Sequence, residues 1–176
     1  ARHQRTRIER MTMIHIATVH YQTPKWIDIQ YRYLKKNVSE FRLYGFFSKN
    51  IEKRYARNYD FASFTSINEH QSKLSVLGDI ICHSSDNPDD VVCFLDGDAF
   101  PIFPIDGYIE EKLSNYPLIA IQRLEEAGDR YPHPSFCATR IKTWLDLEGN
   151  WSRGPTGYYH KHTKQPALDV GGALLG

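Results

Sequence analysis

The apolar run VVCFL at positions 91–95 restricts this chain to a small set of folds. The run shows no polar alternation and follows the turn sequence SDNPDD, so it predicts a short strand that is buried on both faces. Strands of that kind lie in the middle of parallel sheets whose two faces are covered by helices. We therefore expect an α/β protein with a mostly parallel central sheet flanked by helices.

The segments that precede this run agree with that expectation. MIHIATVHY (13–21) and FRLYGFF (41–47) read as strands, and the helix-like stretch PKWIDIQYRYLKKN between them places Pro24 in a first turn. The order strand, helix, strand is typical of a parallel sheet. DFASFTSI predicts a further short strand, and NEHQSKLSVLGDIICHSS predicts a helix for which Asn68 is a candidate cap.

The segments after the run continue the pattern before it changes. The sequence predicts a helix in IDGYIEEKLSNY, strands in PLIAIQ and HPSFCATR, and a short helix in IKTWLDLEG. Residues 150–165 are rich in Gly, Pro, Lys and His and predict a long surface loop, a feature that is often functional in a compact domain.

Composition limits the partners and the compartment. The 176 residues carry a net charge of +1, so we expect no nucleic acid partner. Two of the three cysteines lie in apolar runs, which favours free thiols and a cytoplasmic location. No stretch reaches the roughly 18 apolar residues that a membrane span needs, although peripheral association with a membrane stays compatible with the sequence.

The two ends of the chain differ from its middle. Residues 1–12 carry four arginines without an apolar period, and we interpret them as a disordered or expression-derived leader rather than a basic arm for lipid or nucleic acid. The fold is expected to occupy residues 13–176. The final segment DVGGALLG stops within an apolar run, which predicts a domain that is truncated at its C-terminus.

Two acids, Asp96 and Asp98, follow the buried run directly. In an open α/β sheet, the carboxyl ends of the strands face the crevice where ligands bind. Residues two apart in an extended segment point the same way, so both carboxylates can converge on one object. A divalent cation, Mn²⁺ or Mg²⁺, takes such oxygen ligands together with substrate phosphates. Gly97, which has no side chain, would let a nucleotide approach the backbone.

With the apolar strand before it and AFPI after it, this segment resembles the DxD motif of the glycosyltransferases of the GT-A fold. The resemblance implies a Rossmann-like sheet and a metal, Mn²⁺ or Mg²⁺, on the diphosphate of a UDP-sugar or GDP-sugar donor. Asp98 would then ligate the metal directly, and Asp96 would contact the ribose or a metal-bound water. The enzyme would transfer a sugar to a hydroxyl of a saccharide or lipid-linked acceptor.

The resemblance also assigns roles outside the acidic pair. The helix HQSKLSVLGDII would offer Lys73 to the donor, and the end of the first strand, Val19, His20 and Tyr21, would meet the base and ribose. DVGGALLG looks like a later segment that lies against the donor sugar in some of these families. The residues that it would contribute are Asp169, as a catalytic base or a contact to sugar hydroxyls, Gly171 and Gly172.

Histidines and basic residues of the C-terminal third suggest further roles. His133, between two prolines, is a candidate border of the acceptor site. His160 and His162 form a weak zinc signal, since no carboxylate is near them in the sequence. The better functional interpretation of their loop is a lid over the donor, in which a basic residue meets the diphosphate charge. The candidates for that contact are Arg153, Lys161 and Lys164.

Other functions can use an Asp-x-Asp segment. A haloacid-dehalogenase-type phosphatase places its nucleophile at the first Asp, but that motif usually opens its domain, whereas here it comes after the midpoint. A nucleotidyltransferase would need a glycine-rich basic loop after the first strand, which we do not find. A transferase fragment that binds ligand without catalysis remains a third alternative.

Overall fold

A computed structural model describes residues 12–66, 68–122, 131–154, 158–159, 163–167 and 170–175. The strands are β1 (Ile14–His20), β2 (Phe41–Ser48), β3 (Phe61–Thr65), β4 (Val91–Asp96), β5 (Leu118–Gln122), β6 (Pro132–Arg140), β7 (Tyr158–Tyr159) and β8 (Pro166–Ala167). The helices are α1 (Ile27–Asn37), α2 (His70–Ser84), α3 (Asp106–Leu113) and α4 (Ile141–Asp146).

Six of these strands form the central sheet in the order β3-β2-β1-β4-β6-β5. The first four positions are parallel, β6 runs antiparallel to β4, and β5 pairs antiparallel with β6. The prediction of an α/β protein with a mostly parallel sheet is therefore confirmed. Strand β4, the apolar run from which the prediction started, lies between β1 and β6.

The apolar run is buried on both faces because successive side chains of a strand point to opposite sides. Cys93 and Leu95 pack in a core that includes residues of α1 and α3, and Val92 and Phe94 pack in a second core with α2 and α4. Right-handed crossovers that run in opposite directions along the sheet put α1 and α2 on opposite faces. The described chain therefore has three layers, with helices on both sides of the sheet.

The order of the strands creates a crevice at one edge of the sheet. From β1 the chain proceeds to β2 and β3 on one side, and it returns to β4 on the other side of β1. At such a switch point, the connections that leave the two neighbouring strands diverge and leave a gap beyond their carboxyl ends. The gap lies beyond His20 and Asp96, the last residues of β1 and β4.

Three local expectations need correction. Helix α1 begins at Ile27, because Pro24 forms a preceding turn in which its carbonyl accepts the Ile27 N–H (3.1 Å). Asn68 does not cap α2, since Glu69 occupies the cap position and makes no side-chain capping bond. The segment 150–165 does not lie wholly on the surface. Its Trp151 is fully buried against Phe94, with ring centroids 5.0 Å apart.

None of the helices within the described ranges is long and apolar enough to cross a membrane.

Candidate functional site

A cleft of about 320 Å³ lies at the carboxyl ends of β1 and β4. It is lined by Val19, His20, Tyr21, Thr23, Trp26, His70, Asp96, Gly97 and Asp98. All the strand-end residues that the sequence predicted as site residues, from both strands, therefore line the same cleft. Thr23, Trp26 and His70 were not predicted.

The acidic segment forms a tight turn after β4. The Ala99 N–H donates to the Asp96 carbonyl (2.9 Å) and closes the turn. From α1, the fully buried Gln30 donates through Nε2 to the carbonyls of Asp96 (2.9 Å) and Ala99 (2.7 Å). One side chain thus holds both ends of the turn and fixes the backbone that carries the two carboxylates.

Gln30 was not among the predicted site residues, although its position in the sequence carries a signal. Ile27, Gln30, Leu34 and Asn37 are the buried residues of α1, and their spacing places them on one helix face. A polar residue on a core face needs a hydrogen-bond partner, because burying it without one is costly. The side-chain amides of Gln30 and Asn37 on this face therefore indicate hydrogen bonds to another part of the chain.

The surroundings of Asp96 keep its carboxylate ionised. His70 Nε2 lies 3.3 Å from Oδ1, and the Ser135 hydroxyl donates to Oδ2 (3.0 Å). Burial alone would raise the pKa of Asp96, but the hydrogen bonds from His70 and Ser135 and the positive charge that His70 can carry lower it below its usual value. Asp96 is therefore a negative group at the bottom of the cleft.

His133 also comes close to the same carboxylate. Its Nδ1 lies 4.0 Å from Asp96 Oδ2 and accepts a hydrogen bond from the Ser135 N–H (3.1 Å). The neutral ring can accept this bond, whereas a protonated ring would form an ion pair with Asp96 and help to lower its pKa. His133 thus lies beside the acidic pair, although the sequence suggested it only as a border of the acceptor site.

Asp98 differs from Asp96 in its exposure and in its partners, although both line the small cleft. Its side chain is exposed, and no described residue forms a hydrogen bond or ion pair with it. Asp98 also lines a second and larger cleft, so it stands between two cavities. The two acids therefore have distinct environments, one anchored and one open to solvent.

The second cleft has a volume of about 950 Å³ and mostly apolar walls. It runs from Leu95 and Asp98 across the start of α3 to β5, and includes the exposed side chains of Ile102, Phe103 and Ile121. Its size does not make it the better candidate for the chemistry, since the polar and ionised groups converge in the smaller cleft. The two clefts meet at Asp98.

Close packing against β1 requires a glycine at position 97. A Cβ at this position would lie 2.5 Å from the Val19 carbonyl oxygen and 2.7 Å from His20 Nδ1. The acidic turn therefore packs directly against the end of β1, and a side chain would separate them. Gly97 also lines the small cleft, and the predicted approach of a nucleotide to its backbone stays a prediction.

His20 and Tyr21 face different surroundings. The His20 ring stacks on Phe47, and its Nε2 forms a hydrogen bond with the Tyr59 hydroxyl (2.7 Å). Only 2% of the residue is exposed. Burial lowers the pKa of His20 to about 4, so the ring is neutral. Tyr21 is 55% exposed at the cleft rim. Of the two, Tyr21 has a ring face that can stack on a base.

Lys73 is neither solvated nor part of this cleft. It is only 4% exposed on α2, and no described residue forms an ion pair with its ammonium group. Burial lowers the pKa of Lys73, as expected for a cation away from water. Its proposed contact with the donor stays a prediction.

The C-terminal glycines fit closely against other backbone. Gly171 has φ +88°, a conformation that favours glycine, and a Cβ there would lie 2.7 Å from the Pro132 carbonyl oxygen. A Cβ on Gly172 would lie 2.4 Å from Gly154 N. Packing within the protein thus accounts for both glycines, and their contact with a donor sugar stays a prediction. Asp169, His160, Lys161 and His162 lie outside the described residues.

A divalent cation suits the small cleft chemically. Asp96 is ionised, Asp98 is open to solvent, and the His70 imidazole faces Asp96. The described residues contain no ready-made group of three His, Cys, Asp or Glu side chains for an ion. An ion at this place would therefore share its coordination with a bound ligand and water, as Mg²⁺ and Mn²⁺ commonly do on phosphates.

Comparison with known proteins gives no match for the sequence among family models or curated proteins. Solved structures, however, share the fold. The mannosyltransferase PcManGT from Pyrobaculum calidifontis, solved with GDP-Man and Mn²⁺, has a TM-score of 0.59 at 11% identity, over 82% of this chain and 48% of that one.

Two further glycosyltransferases show the same likeness. GlyE from Streptococcus pneumoniae TIGR4, in its apo form, has a TM-score of 0.52 at 14% identity, over 78% of this chain and 36% of that one. The galactosyltransferase LgtC, solved with donor and acceptor sugar analogs, has a TM-score of 0.51 at 15% identity, over 76% of this chain and 60% of that one. The fold is thus the Rossmann-like GT-A fold, and the chain spans between 36% and 60% of the length of these neighbours.

Proposed function

We propose that this chain is part of a metal-dependent glycosyltransferase of the hexosyltransferase type, which moves a sugar from a UDP-sugar or GDP-sugar to a hydroxyl group. The observation that carries the proposal is the turn of Asp96, Gly97 and Asp98 at the switch point of a GT-A fold, where it shares a cleft with the end of β1. PcManGT, which has the same fold, was solved in complex with GDP-Man and Mn²⁺, and this supports both the donor class and the cation.

In this proposal Asp96 and Asp98 hold Mn²⁺ or Mg²⁺ together with the donor diphosphate. The bound cation would act as a Lewis acid on the negative charge that develops on the leaving nucleoside diphosphate. Gln30 keeps the turn in place, and Ser135 orients the Asp96 carboxylate. Tyr21 and Trp26 would offer aromatic faces for a base, and Val19 would border the ribose.

The acceptor side follows from the second cleft. Its apolar walls suit a lipid-linked acceptor or the apolar face of a saccharide. It shares Asp98 with the small cleft, which is the proposed donor site. Asp169 is retained as the proposed base for the acceptor hydroxyl, with Gly171 and Gly172 at the donor sugar and Lys73 as a further contact to the donor. A cytoplasmic location, at a membrane surface or away from it, completes the proposal.

Nucleotide-dependent thermal stabilisation tests the proposal. With Mn²⁺ present, UDP or GDP at about 100 times its Kd should raise the Tm by about 5–10 °C, because a ligand that binds only the folded state stabilises it. Asp98→Ala should abolish most of this shift. Asp89→Ala, an exposed aspartate before the other end of β4, should retain it.

The same experiment separates the alternatives. No shift with any nucleoside diphosphate, or an unchanged shift in Asp98→Ala, would refute the transferase proposal. Hydrolysis of an aryl phosphate would instead favour the phosphatase alternative. Nucleotide binding without slow hydrolysis of any nucleotide-sugar would indicate a fragment that binds the donor but lacks the catalytic residues.

A further inference from the structure

His70 is the one histidine of α2 that lines the small cleft. It is the first residue of that helix, and its Nε2 points at Asp96 Oδ1 from 3.3 Å across the cleft. The side chain is partly exposed, so it is reachable from the cavity that also contains Asp98. Neither the sequence pattern nor the resemblance to GT-A enzymes gave this residue a role.

The separation of these two atoms matches that of neighbouring ligands of one ion. Metal-to-ligand distances of about 2.1 Å at the right angle of an octahedral site put adjacent ligand atoms about 3 Å apart. The 3.3 Å between His70 Nε2 and Asp96 Oδ1 is close to that value. We propose that His70 and Asp96 are adjacent ligands of the divalent cation, an inference that rests on the proposed function for the presence of that cation.

The rest of the site is compatible with His70 and Asp96 as two protein ligands that already lie at the distance of adjacent ligands. Within the described ranges no three metal-ligating side chains come together, so the other positions fall to water, to the donor diphosphate and to Asp98. The Ser135 hydroxyl holds Asp96 Oδ2 and leaves Oδ1 turned toward His70. Nε2 donates to Asp96 in the metal-free site, so for His70 to ligate it must release that proton to solvent and offer its lone pair. The remaining ring proton must then sit on Nδ1, to which no described residue is bonded.

An imidazole ligand has a consequence for the choice of metal. Mg²⁺ prefers oxygen ligands, whereas imidazole nitrogen suits transition metals better. The site should therefore bind Mn²⁺ and Co²⁺ more tightly than Mg²⁺, and His70 should be the reason. A site built only from Asp96 and Asp98 would discriminate less between these ions.

Electron spin-echo measurements on Mn²⁺ bound to the protein test the inference directly. In the wild type, Mn²⁺ should show the coupling of a directly bound ¹⁴N nucleus, and ¹⁵N-labelled histidine should replace it by the ¹⁵N signal. His70→Ala should lose the nitrogen coupling and weaken Mn²⁺ binding by about tenfold or more, with a smaller change for Mg²⁺. His83→Ala, an exposed histidine in the last turn of the same helix, is the matched control and should behave like the wild type.

The outcomes distinguish this inference from the proposed function. Absence of nitrogen coupling in the wild type, which needs no variant, would overturn the role of His70, as would its persistence in His70→Ala. Normal Mn²⁺ affinity with loss of UDP or GDP affinity in the variant would also overturn it, because His70 would then contact the nucleotide. Nitrogen coupling without ³¹P coupling from added UDP or GDP would support His70 as a ligand and refute the donor class.

Discussion

Asp96 and Asp98 are chemically identical and two residues apart, yet their surroundings give them different properties. Asp96 receives hydrogen bonds from Ser135 and His70, which lower its pKa despite burial. Asp98 is exposed, and no described neighbour pairs with it. Two carboxylates this close together repel each other, and the repulsion is relieved at Asp96 by fixed donors and at Asp98 by solvent.

Gly97 is the residue at which a single methyl group should matter most. In Gly97→Ala the new Cβ would press on the Val19 carbonyl, which is backbone and cannot rotate away. We expect a loss of about 1–3 kcal/mol in the free energy of unfolding, together with weaker Mn²⁺-dependent nucleotide protection. Chemical denaturation measures the first effect, and thermal shift the second.

Gly107→Ala is the control for that substitution. Nothing lies within 4 Å of a Cβ placed on Gly107, which is in α3. Since alanine favours helix over glycine by about 1 kcal/mol, this variant should be as stable as the wild type or more so. If both glycine variants have the same stability and the same nucleotide protection, close packing of the acidic turn on β1 is not the reason for a glycine at position 97.

Helix α1 does more than cover one face of the sheet. Gln30 holds the acidic turn, and one further buried amide on the same face, Asn37, donates to the Pro101 carbonyl (2.7 Å). The helix thus fixes two points of the segment that leads from β4 to α3. An element that the sequence marks as amphipathic is here also the support of the candidate site.

Gln30→Leu tests this supporting role. Leucine has a similar size, but it leaves the partly buried carbonyls of Asp96 and Ala99 without the Gln30 donor, which should cost about 1–3 kcal/mol of stability. We also expect reduced Mn²⁺ affinity, because the acidic turn loses its anchor. Calorimetric titration with Mn²⁺ and urea denaturation measure the two effects. Arg32→Leu, on the exposed side of α1, should change neither. Wild-type Mn²⁺ affinity in Gln30→Leu would contradict the role assigned to the helix.

The whole molecule has buried histidines at both ends of β1. At the opposite end from the cleft, His15 lies between Asp90 (3.4 Å) and the Tyr44 hydroxyl (3.1 Å), and Asp90 also accepts the Met13 N–H. At the cleft end, His20 is bonded to Tyr59. Burial lowers the pKa of His15 even though its bond to Asp90 acts in the opposite direction, and it lowers the pKa of His20 more strongly.

These shifts predict a stability that falls on mild acidification. The unfolded chain protonates His20 as the pH drops through 6.5, whereas the folded protein does so only at about 4. The free energy of unfolding should therefore decrease between these two pH values, by about 3 kcal/mol from this residue alone, with His15 adding to the decrease. The lowered pKa values of Asp90 and Asp96 act at lower pH, since their stabilisation is lost only below the usual aspartate range.

Urea denaturation across pH 4–7 checks this expectation. His20→Phe should be less stable at pH 7, because the Tyr59 hydroxyl loses its partner, but its stability should depend less on pH. His83→Ala, at an exposed position, should keep the slope of the wild type. A slope that is the same in His20→Phe and the wild type would show that His20 is not the group responsible.

Much of the sheet was predictable because the signal is local. The apolar runs 13–21, 41–47 and 91–95 each correspond to one buried or half-buried strand. Their alternation with helical stretches already implies parallel pairing. Where the prediction was wrong, a distant residue decided the outcome. Trp151 lies in a segment that resembles a surface loop, but its ring packs against Phe94 and its backbone N–H donates to the Ser75 hydroxyl.

The sequence by itself determined the α/β class, the order of the main elements and the place of the acidic pair at a strand end, because hydrophobic period and length are properties of short segments. Only the tertiary structure decided that His70 and Ser135 meet Asp96, that Gln30 holds the turn and that Gly97 packs on β1. These contacts join residues that are far apart in the chain. They depend on strand order, register and helix placement, which no single segment specifies.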